Sequence, residues 1–335
     1  MRGFPDPSVK ALASQGRSTV HVFFLCLIAL AAISGCIYLP PGGGPVAEYT
    51  QIDDTDAGFC FTDDLGLQVI LPSRPERVAS LMGSYSELWL LAGGELAGVT
   101  EDAFSERALE LDDSVRVIGS VSQPNLELIL DLSPDLILMS ADQGSHRELD
   151  AFFTQSGLVH AYFKVDDVYA YVRVLGLLTG ITGRADLFAQ YGESTEKRVE
   201  AVLQKITPDT YKPKVLLIRS MSTTAKALKE DHMTGIMLAD LGTVNIASTY
   251  GSLLEDLSLE AILDADPDFI FVITTGDAQK ALQTLESGLM ANPAWGSLSA
   301  VQNARCHILP KELFHYKPNA RWGESYEYLY EILYL

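Results

Sequence analysis

Short apolar runs alternate with segments of helical periodicity along most of the chain. Arg77–Leu81, Leu96–Val99 and Val115–Ile118 are typical of short buried strands, and Ser86–Ala92 lies between the first two with the spacing of a helix. An earlier stretch, 61–71, predicts a hairpin that turns at Asp64–Gly66. Strands that alternate with helices over short connections predict an α/β fold with parallel sheets and right-handed crossovers.

The clearest pattern is a repeat. Residues 125–139 (NLELILDLSPDLILM) and 258–272 (SLEAILDADPDFIFV) align without gaps at an offset of 133 residues. Each copy predicts a short helix, a break at a proline, and a strand that is apolar at every position, as in a strand buried on both faces of a parallel sheet. An offset of one small domain exceeds solenoid periods and indicates two similar lobes.

Between the copies, residues 168–206 are predominantly helical in pattern, with a break near Gly180–Gly183. Asp186–Ile206 contains no proline and one glycine, and its apolar positions fit a helix. This segment is the natural linker between two lobes, and a strand at Lys214–Arg219 begins the second one.

The first 35 residues have the anatomy of a signal peptide. A basic leader precedes the apolar stretch 20–32, which is short for a permanent membrane span, and small residues precede Cys36. This junction resembles the lipobox of bacterial lipoproteins, in which the cysteine is lipidated and becomes the new N-terminus. The alternative is an uncleaved signal anchor with Cys36 incidental. Residues 39–56 then predict a flexible tether.

Composition narrows the function classes. At 47% hydrophobic residues the chain is too apolar for disorder, and removal of the leader moves its net charge from −20 to −22. Such acidity argues against nucleic-acid binding, which requires basic residues on phosphates. Cys60 and Cys306 could pair in an oxidising compartment, but their β-like surroundings favour two buried thiols.

Several further motifs carry a family resemblance. Pro75–Leu81, Ser86–Leu88, Gly94–Leu96, Ile118–Glu127 and Ser133–Leu136 together resemble the substrate-binding lipoproteins of ABC importers for iron siderophores, haem and vitamin B12. The resemblance covers about residues 60–335 and implies two Rossmann-like lobes with parallel sheets, one long bridging α-helix and a ligand cleft between the lobes. It implies these divisions: 1–35 signal peptide, 36–58 tether, 59–166 N-terminal lobe, 167–207 helical linker, 208–335 C-terminal lobe.

Glu127 and Glu260 occupy the same position in the two repeat copies. A carboxylate in the first helical turn is stabilised by the helix dipole, and that alone could account for both. The resemblance implies a second role, in which one glutamate per lobe docks on arginines of the two permease subunits.

Ligand contacts are expected in the loops that follow strands, because ligands of open α/β sheets bind beyond the carboxyl ends of the strands. Near the C-terminus, an aromatic and basic cluster suits an anionic, ring-bearing chelate, although its aromatics could equally pack between the last strand and helix. The predicted ligand-binding residues are Ser84, Tyr85, Glu101, Asp102, Phe104, Ser122, Arg219, Ser220, Met221, Lys226, His315, Tyr316, Lys317, Arg321 and Trp322.

Three other chemistries bear on the ligand and on the class of protein. His315 or Tyr316 could ligate a haem iron axially, with His232 as a second ligand. No clustered His, Asp and Glu pattern supports a bare metal site, and no nucleotide-binding, hydrolase or metalloprotease motif appears, which lowers the prior for an enzyme.

The sequence therefore predicts a non-enzymatic, monomeric, extracytoplasmic substrate-binding protein, lipid-anchored through Cys36. It would have no intrinsic cofactor. It would bind an iron chelate, with a ferric siderophore as the preferred candidate, and deliver it to an ABC permease dimer with its ATPase. Haem or a corrinoid is the alternative ligand, and a surface enzyme or sensor on the same bilobed scaffold is the alternative class.

Overall fold

The structure is a computed structural model that describes residues 58–255 and 257–335. The predicted signal peptide, the lipidation site Cys36 and the tether up to residue 57 lie outside the described residues. Within the described ranges, no helix combines the length and the apolar character needed to cross a membrane.

Strands and helices alternate through the described chain. The strands are β1 Phe59–Thr62, β2 Gln68–Leu71, β3 Val78–Ser80, β4 Leu96–Val99, β5 Arg116–Val117, β6 Gly119–Ser120, β7 Gln123–Pro124, β8 Leu136–Ser140, β9 His160–Phe163, β10 Lys214–Ser220, β11 Ala225–Leu228, β12 Val244–Asn245, β13 Phe269–Thr274 and β14 Cys306–Ile308. The α-helices are α1 Gly83–Leu91, α2 Asp102–Ser105, α3 Leu126–Leu132, α4 Gly144–Arg147, α5 Asp150–Gln155, α6 Val168–Thr182, α7 Ala185–Leu187, α8 Ser194–Leu203, α9 Met233–Asp240, α10 Ser252–Glu255, α11 Leu259–Ala265, α12 Ala278–Leu285, α13 Ser299–Gln302, α14 Lys311–Phe314 and α15 Trp322–Tyr334. Short 3₁₀ turns span Ile246–Ser248, Pro293–Ser297 and Asn319–Arg321, and π turns span Phe188–Glu193 and Glu286–Met290.

Two sheets organise these elements, as predicted. The first has the order β5-β4-β3-β8-β9 with every neighbouring pair parallel, and its elements form the N-terminal lobe. The second has the order β11-β10-β13-β14, with β12 also paired to β10, and forms the C-terminal lobe. Strand β11 is its antiparallel member, which the sequence did not predict. The fold is the expected α/β arrangement of two lobes with parallel sheets.

The predicted hairpin precedes the first sheet. Strands β1 and β2 pair antiparallel, and the Asp63 carboxylate accepts from the backbone amides of Leu65 and Leu67 at 3.0 and 2.9 Å. An aspartate that bonds amides a few residues ahead is a common way to close a tight turn, and it fixes this one.

The repeat is a structural repeat as well. Helices α3 and α11 end at Ser133 and Asp266, which both adopt a left-handed backbone with φ of +46° and +42°. These positions are 133 residues apart, the same offset that the sequence shows. A left-handed residue ends a helix by turning the chain away from the helix axis, so each copy passes directly into its buried strand.

Equivalent aspartates then tie each copy to its sheet. Asp135 accepts from the amides of Glu76 and Arg77, at 2.8 and 3.0 Å, just before β3 begins. Asp268 accepts from the amide of Lys214 at 2.7 Å, where β10 begins. In both lobes a carboxylate of the repeat therefore fixes the start of the neighbouring strand.

One uninterrupted helix across residues 167–207 is not confirmed. The region contains α6, which ends at Gly183 with φ of +71°, and a second helical stretch from α7 through a π turn to α8. Glycine adopts this left-handed conformation without a side-chain clash, so it terminates α6 where the sequence predicted a break.

Other local predictions need correction. Gly83–Tyr85 is the first turn of α1 and not a loop, and residues 102–105 form α2. Cys306 was expected to be buried but is exposed on edge strand β14, whereas Cys60 is buried in β1. β14 is a three-residue strand at the edge of the sheet, with a neighbouring strand on one side only, so Cys306 remains exposed.

The largest apolar cluster runs through both lobes. Buried residues of the two sheets join α1, α6, α8, α9 and α15 in one continuous core, and smaller clusters lie on the outer face of each sheet. The carboxyl ends of the parallel strands in both lobes carry the loops in which the sequence placed its site residues.

Candidate functional site

The C-terminal lobe concentrates positive charge where its strands end. Arg219 of β10 and Lys226 of β11 are directly paired across the antiparallel ladder, so their side chains share one face of the sheet. Within the described part of the chain, neither forms a salt bridge. Like charges placed directly opposite destabilise a sheet, so this pair is costly in the absence of an anion.

Two histidines lie beside this pair. His232 caps the N-terminus of α9, where its Nδ1 accepts from the Thr234 amide at 3.2 Å, and His315 follows α14. Burial lowers the pKa of each imidazole to about 4. Charge on Arg219 contributes to both shifts, and Lys311 contributes to that of His315. Both rings are therefore neutral near pH 7 and compatible with metal ligation.

Several buried polar atoms in this region have no hydrogen-bond partner among the described residues. They include Arg219 Nε, His315 Nδ1 and Thr275 Oγ1. Buried polar groups in folded proteins are almost always satisfied, so each such atom requires an explanation. Thr275 directly follows β13 and its amide donates to the Ser220 carbonyl at 2.9 Å, which places it beside the end of β10. The three atoms lie where ligands of parallel sheets bind.

The predicted residues of the N-terminal lobe divide into two groups. Glu101 and Ser122 are exposed, and Phe104 is 41% exposed on α2, unusual for a large aromatic side chain. Ser84 and Tyr85 are buried in the first turn of α1, where the Tyr85 hydroxyl donates to the Phe163 carbonyl at 2.5 Å.

The Asp102 carboxylate forms hydrogen bonds within the N-terminal lobe. It accepts from the Gly83 amide at 2.7 Å and from the Thr100 hydroxyl at 2.6 Å. A β-carbon at Gly83 would come within 2.8 Å of the Ala103 amide nitrogen, so the first turns of α1 and α2 are in contact backbone to backbone. This contact holds α2 and its exposed Phe104 against the start of α1.

The remaining predicted residues also occupy different surroundings. Ser220 is buried and donates to the Ala281 carbonyl at 2.7 Å, and Met221 is half-buried just after β10. Arg321 is exposed and pairs with Glu324, and Trp322 is fully buried in the core. Tyr316 is half-buried, and its ring centroid lies 5.0 Å from that of His315.

Lys317 faces the N-terminal lobe. Its ammonium donates to the Val165 carbonyl at 2.7 Å and lies 3.5 and 3.7 Å from the carboxylates of Asp142 and Asp166. The structure thus groups Arg219, Lys226, His315 and Tyr316 on one lobe, and it connects Lys317 to the other. A ligand role for any predicted residue stays a prediction.

Glu127 and Glu260 occupy equivalent places on the two lobes. Each is the second residue of its helix, α3 or α11, and each is exposed. Side chains of Asn125 and Ser258 cap these helices, so the two glutamates are not needed for the caps. Their carboxylates remain available to a partner.

Sequence reasoning missed two residues. Arg107 contacts the C-terminal segment although 210 positions separate it from Lys317, and Lys311 donates to the Gly276 carbonyl and also influences His315. No local motif marks either residue, because Arg107 meets the other lobe and Lys311 meets a loop 35 residues earlier in the chain. A groove of about 490 Å³ lined by Arg74, Trp89 and Thr182 lies at the amino ends of the first sheet, away from these groups.

Comparison with known proteins gives the family. Residues 78–313 match the family described as periplasmic binding protein. The chain belongs to this family. The match spans most of both lobes, from β3 to α14, so this periplasmic binding protein is a substrate-binding protein of the kind that serves ABC uptake systems, and its relatives are binding proteins and not enzymes.

Individual relatives are consistent with this family assignment. The chain is 26% identical to the putative ABC transporter substrate-binding lipoprotein YhfQ of Bacillus subtilis, over 76% of this chain and 81% of the relative. It is 23% identical to the iron(3+)-hydroxamate-binding protein FhuD of the same organism, over 92% of this chain and 96% of the relative. The structure of Staphylococcus aureus IsdE in complex with haem superimposes with a TM-score of 0.64 at 16% identity, covering 77% of this chain and 98% of that one. This periplasmic binding protein thus shares its fold with binders of different chelates.

Proposed function

We propose that this chain is the extracytoplasmic, lipid-anchored substrate-binding component of an ABC importer and that it captures an anionic ferric siderophore. One observation carries the choice of ligand charge. Arg219 and Lys226 face one another without a counter-ion in the described residues, and the buried Arg219 Nε lacks an acceptor. An anionic oxygen of a chelate would accept from Arg219 Nε and offset the two positive charges, so it would remove both penalties at once.

The similarity to FhuD supports a ferric chelate as the class of ligand. Arginine suits such a ligand because its planar fork binds carboxylate and related oxygen pairs in a bidentate manner. Exposed Phe104 on the facing lobe provides an aromatic surface for a ring of the ligand. The protein itself would hold no resident cofactor, since the chelate is its cargo.

Haem is the second candidate, and His315 is the specific observation in its favour. The imidazole is neutral near pH 7, its Nδ1 is buried without a hydrogen-bond partner among the described residues, and Tyr316 lies against it. A neutral imidazole is a suitable axial ligand, and the fold is shared with a haem-bound protein. A corrinoid would use the same cleft.

The remaining expectations complete the proposal. Cys36 would carry the lipid after signal cleavage, and residues 59–166, 167–207 and 208–335 would be the N-terminal lobe, the linker and the C-terminal lobe of a monomer. Glu127 and Glu260 would dock on a permease dimer that works with its ATPase. Exposed charges at such an interface chiefly set encounter rate and register.

Thermal unfolding with a panel of ligands tests the proposal. Purified protein is heated with ferric siderophores of the hydroxamate, catecholate and carboxylate classes, with haem and with cobalamin. A ligand that binds the folded state raises the melting temperature in a concentration-dependent way. We expect the largest rise with an anionic ferric siderophore and a smaller one with its iron-free form. A Soret band on haem addition would favour the second candidate, and no rise with any chelate would refute the proposal.

A further inference from the structure

A short segment crosses from the C-terminal lobe to the N-terminal lobe. Residues 315–319, here called the strap, follow α14 and end at the first residue of the 3₁₀ turn that leads into α15. Its first anchor is Lys317, whose ammonium donates to the Val165 carbonyl just after β9, at 2.7 Å. The Lys317 side chain is only 11% exposed, so water does not replace this bond easily.

A second anchor lies on helix α1. The Asn319 side-chain amide donates to the Ser84 carbonyl at 2.9 Å and to the Glu87 carboxylate at 2.6 Å. Asn319 is 1% exposed and has a left-handed backbone with φ of +51°. A residue other than glycine holds this conformation only where its surroundings fix it, and asparagine tolerates it better than most.

Arg107 closes the network from the N-terminal lobe. Its guanidinium forms an ion pair with Glu87 and donates to the Lys317 carbonyl at 3.0 Å. The Arg107 side chain is 7% exposed. Removing one partner of a buried ion pair is strongly unfavourable, so Arg107 and Glu87 keep the strap in place as long as they remain paired.

The strap begins at the two residues that line the candidate site. His315 and Tyr316 directly precede Lys317, and their rings are in contact. The anchors on the N-terminal lobe follow the carboxyl ends of β3, β4 and β9, the side on which the cleft is expected. The position of His315 and Tyr316 relative to the N-terminal lobe is therefore set by Lys317 and Asn319.

We propose that the strap couples the lobes to the ligand: Asn319, Arg107 and Glu87 are positioning residues that fix the separation of the lobes and thereby hold His315 and Tyr316 in place for the chelate. The part that concerns the chelate rests on the proposed function. The part that concerns the lobes does not, because the anchors exist without a ligand.

Asn319→Asp is the test variant. It keeps the shape of the side chain and its tolerance for the left-handed backbone, but it removes both donors and places a carboxylate beside Glu87. The double variant Asn319→Asp with Glu87→Gln exchanges the amide and the carboxylate and restores a donor–acceptor pair. Spin labels are attached at Glu127→Cys and Glu260→Cys, and Cys306→Ser removes the exposed native thiol. Double electron–electron resonance then measures the distance between the two labels, and so between the lobes.

We expect Asn319→Asp to broaden the distance distribution in ligand-free protein and to speed dissociation of a ferric siderophore about tenfold. The double variant should recover both values in part, because it restores the contact between residues 87 and 319 but leaves Arg107 without its ion-pair partner and the Ser84 carbonyl without its donor. A lowered melting temperature with an unchanged distance distribution would overturn the proposal, as would a double variant that recovers neither. If the unmodified protein binds no chelate, the proposed function fails, and the distance distribution still decides whether the strap holds the lobes.

Discussion

Arg219 and Lys226 lie directly opposite one another on strands β10 and β11, with both positive charges on the same face of the sheet. Folding alone does not favour this arrangement, since a charged pair of one sign destabilises a ladder. The protein as a whole carries a net charge of −20, so these cations are a local exception in an acidic molecule. A site that attracts an anion accounts for both facts.

Neutralising this pair should separate binding from stability. Arg219→Gln with Lys226→Gln is expected to weaken the affinity for an anionic ferric siderophore by about 10- to 100-fold, since hydrogen bonds to charged groups contribute about 1.5–3 kcal/mol. The free energy of unfolding without ligand should stay constant or rise by a few tenths of a kcal/mol to ~1 kcal/mol. Calorimetric titration and urea unfolding measure the two quantities. Lys212→Gln, at an exposed lysine outside the site, is the matched control; equal losses in both proteins would contradict the prediction.

The two repeat glutamates should matter for transport and not for capture. Glu127→Ala with Glu260→Ala is expected to abolish uptake in cells that carry the cognate transporter, because each carboxylate is exposed on one lobe and free to meet the permease. Ligand affinity of the purified protein should be unchanged. Glu110→Ala, at another exposed glutamate, controls for loss of surface charge. Lost affinity with intact uptake would exclude the docking role.

Acid should destabilise the protein through its buried histidines. Burial lowers the pKa of His232 and His315 to about 4, against 6.5 for an ordinary histidine. Between pH 6.5 and 4 the unfolded chain binds more protons at these sites than the folded one, so stability is complete above this window and declines as the pH falls through it.

The decline can amount to about 1.4 kcal/mol per pH unit for each histidine. Urea unfolding at a series of pH values across this range gives the free energy of unfolding at each pH. Its decrease per pH unit should be smaller for His315→Gln than for the unmodified protein. His160, which lies outside the site and pairs with Asp150 at 3.0 Å, supplies the comparison variant His160→Gln. If the free energy of unfolding changes with pH to the same extent after removal of His315, this imidazole binds its proton in the folded protein as readily as in the unfolded chain.

Equivalent left-handed residues should respond to the same change to different extents. Ser133→Gly relieves a positive φ and loses one exposed hydrogen bond to the Leu130 carbonyl, so the free energy of unfolding should change by less than about 1 kcal/mol. Asp266→Gly relieves the same strain but removes bonds from the Ser299 amide and hydroxyl, at 2.8 and 2.5 Å. It should cost about 1–3 kcal/mol. Denaturant unfolding of both variants checks this, and a larger loss for Ser133→Gly would contradict it.

Local chemistry explains why the scaffold was predictable from sequence. The strands of the repeat are apolar at every position because they are buried on both faces, and the structure places 136–140 and 269–274 there. Hairpin, repeat and helix break each depend on residues close together in the chain. The antiparallel strand at 225–228 was missed because its three apolar residues surround an exposed lysine, a pattern that a loop also shows.

The site was less predictable because its surroundings are not local. Ser84 and Tyr85 follow a strand, and this position favours a loop. In the structure Asp102, which lies after the next strand, accepts a hydrogen bond from the Gly83 amide, and a helix starts here. The ligand role of Lys317 stays a prediction, and the sequence did not indicate that its ammonium also contacts a carbonyl 152 positions earlier in the chain. Motifs locate the edge of a sheet at which a side chain lies, but they do not show what that side chain meets from the other lobe.

The crossing segment also constrains the order in which this protein can be built. As the chain leaves the ribosome, Arg107 and Glu87 are made more than two hundred residues before Lys317 and Asn319. Until residues 317–319 have emerged, the N-terminal lobe lacks the amide and carbonyl that contact its charged pair. The first half of the molecule therefore cannot reach its final packing ahead of the second, and a truncation just before the strap should leave a protein that matures incompletely despite having both of its sheets.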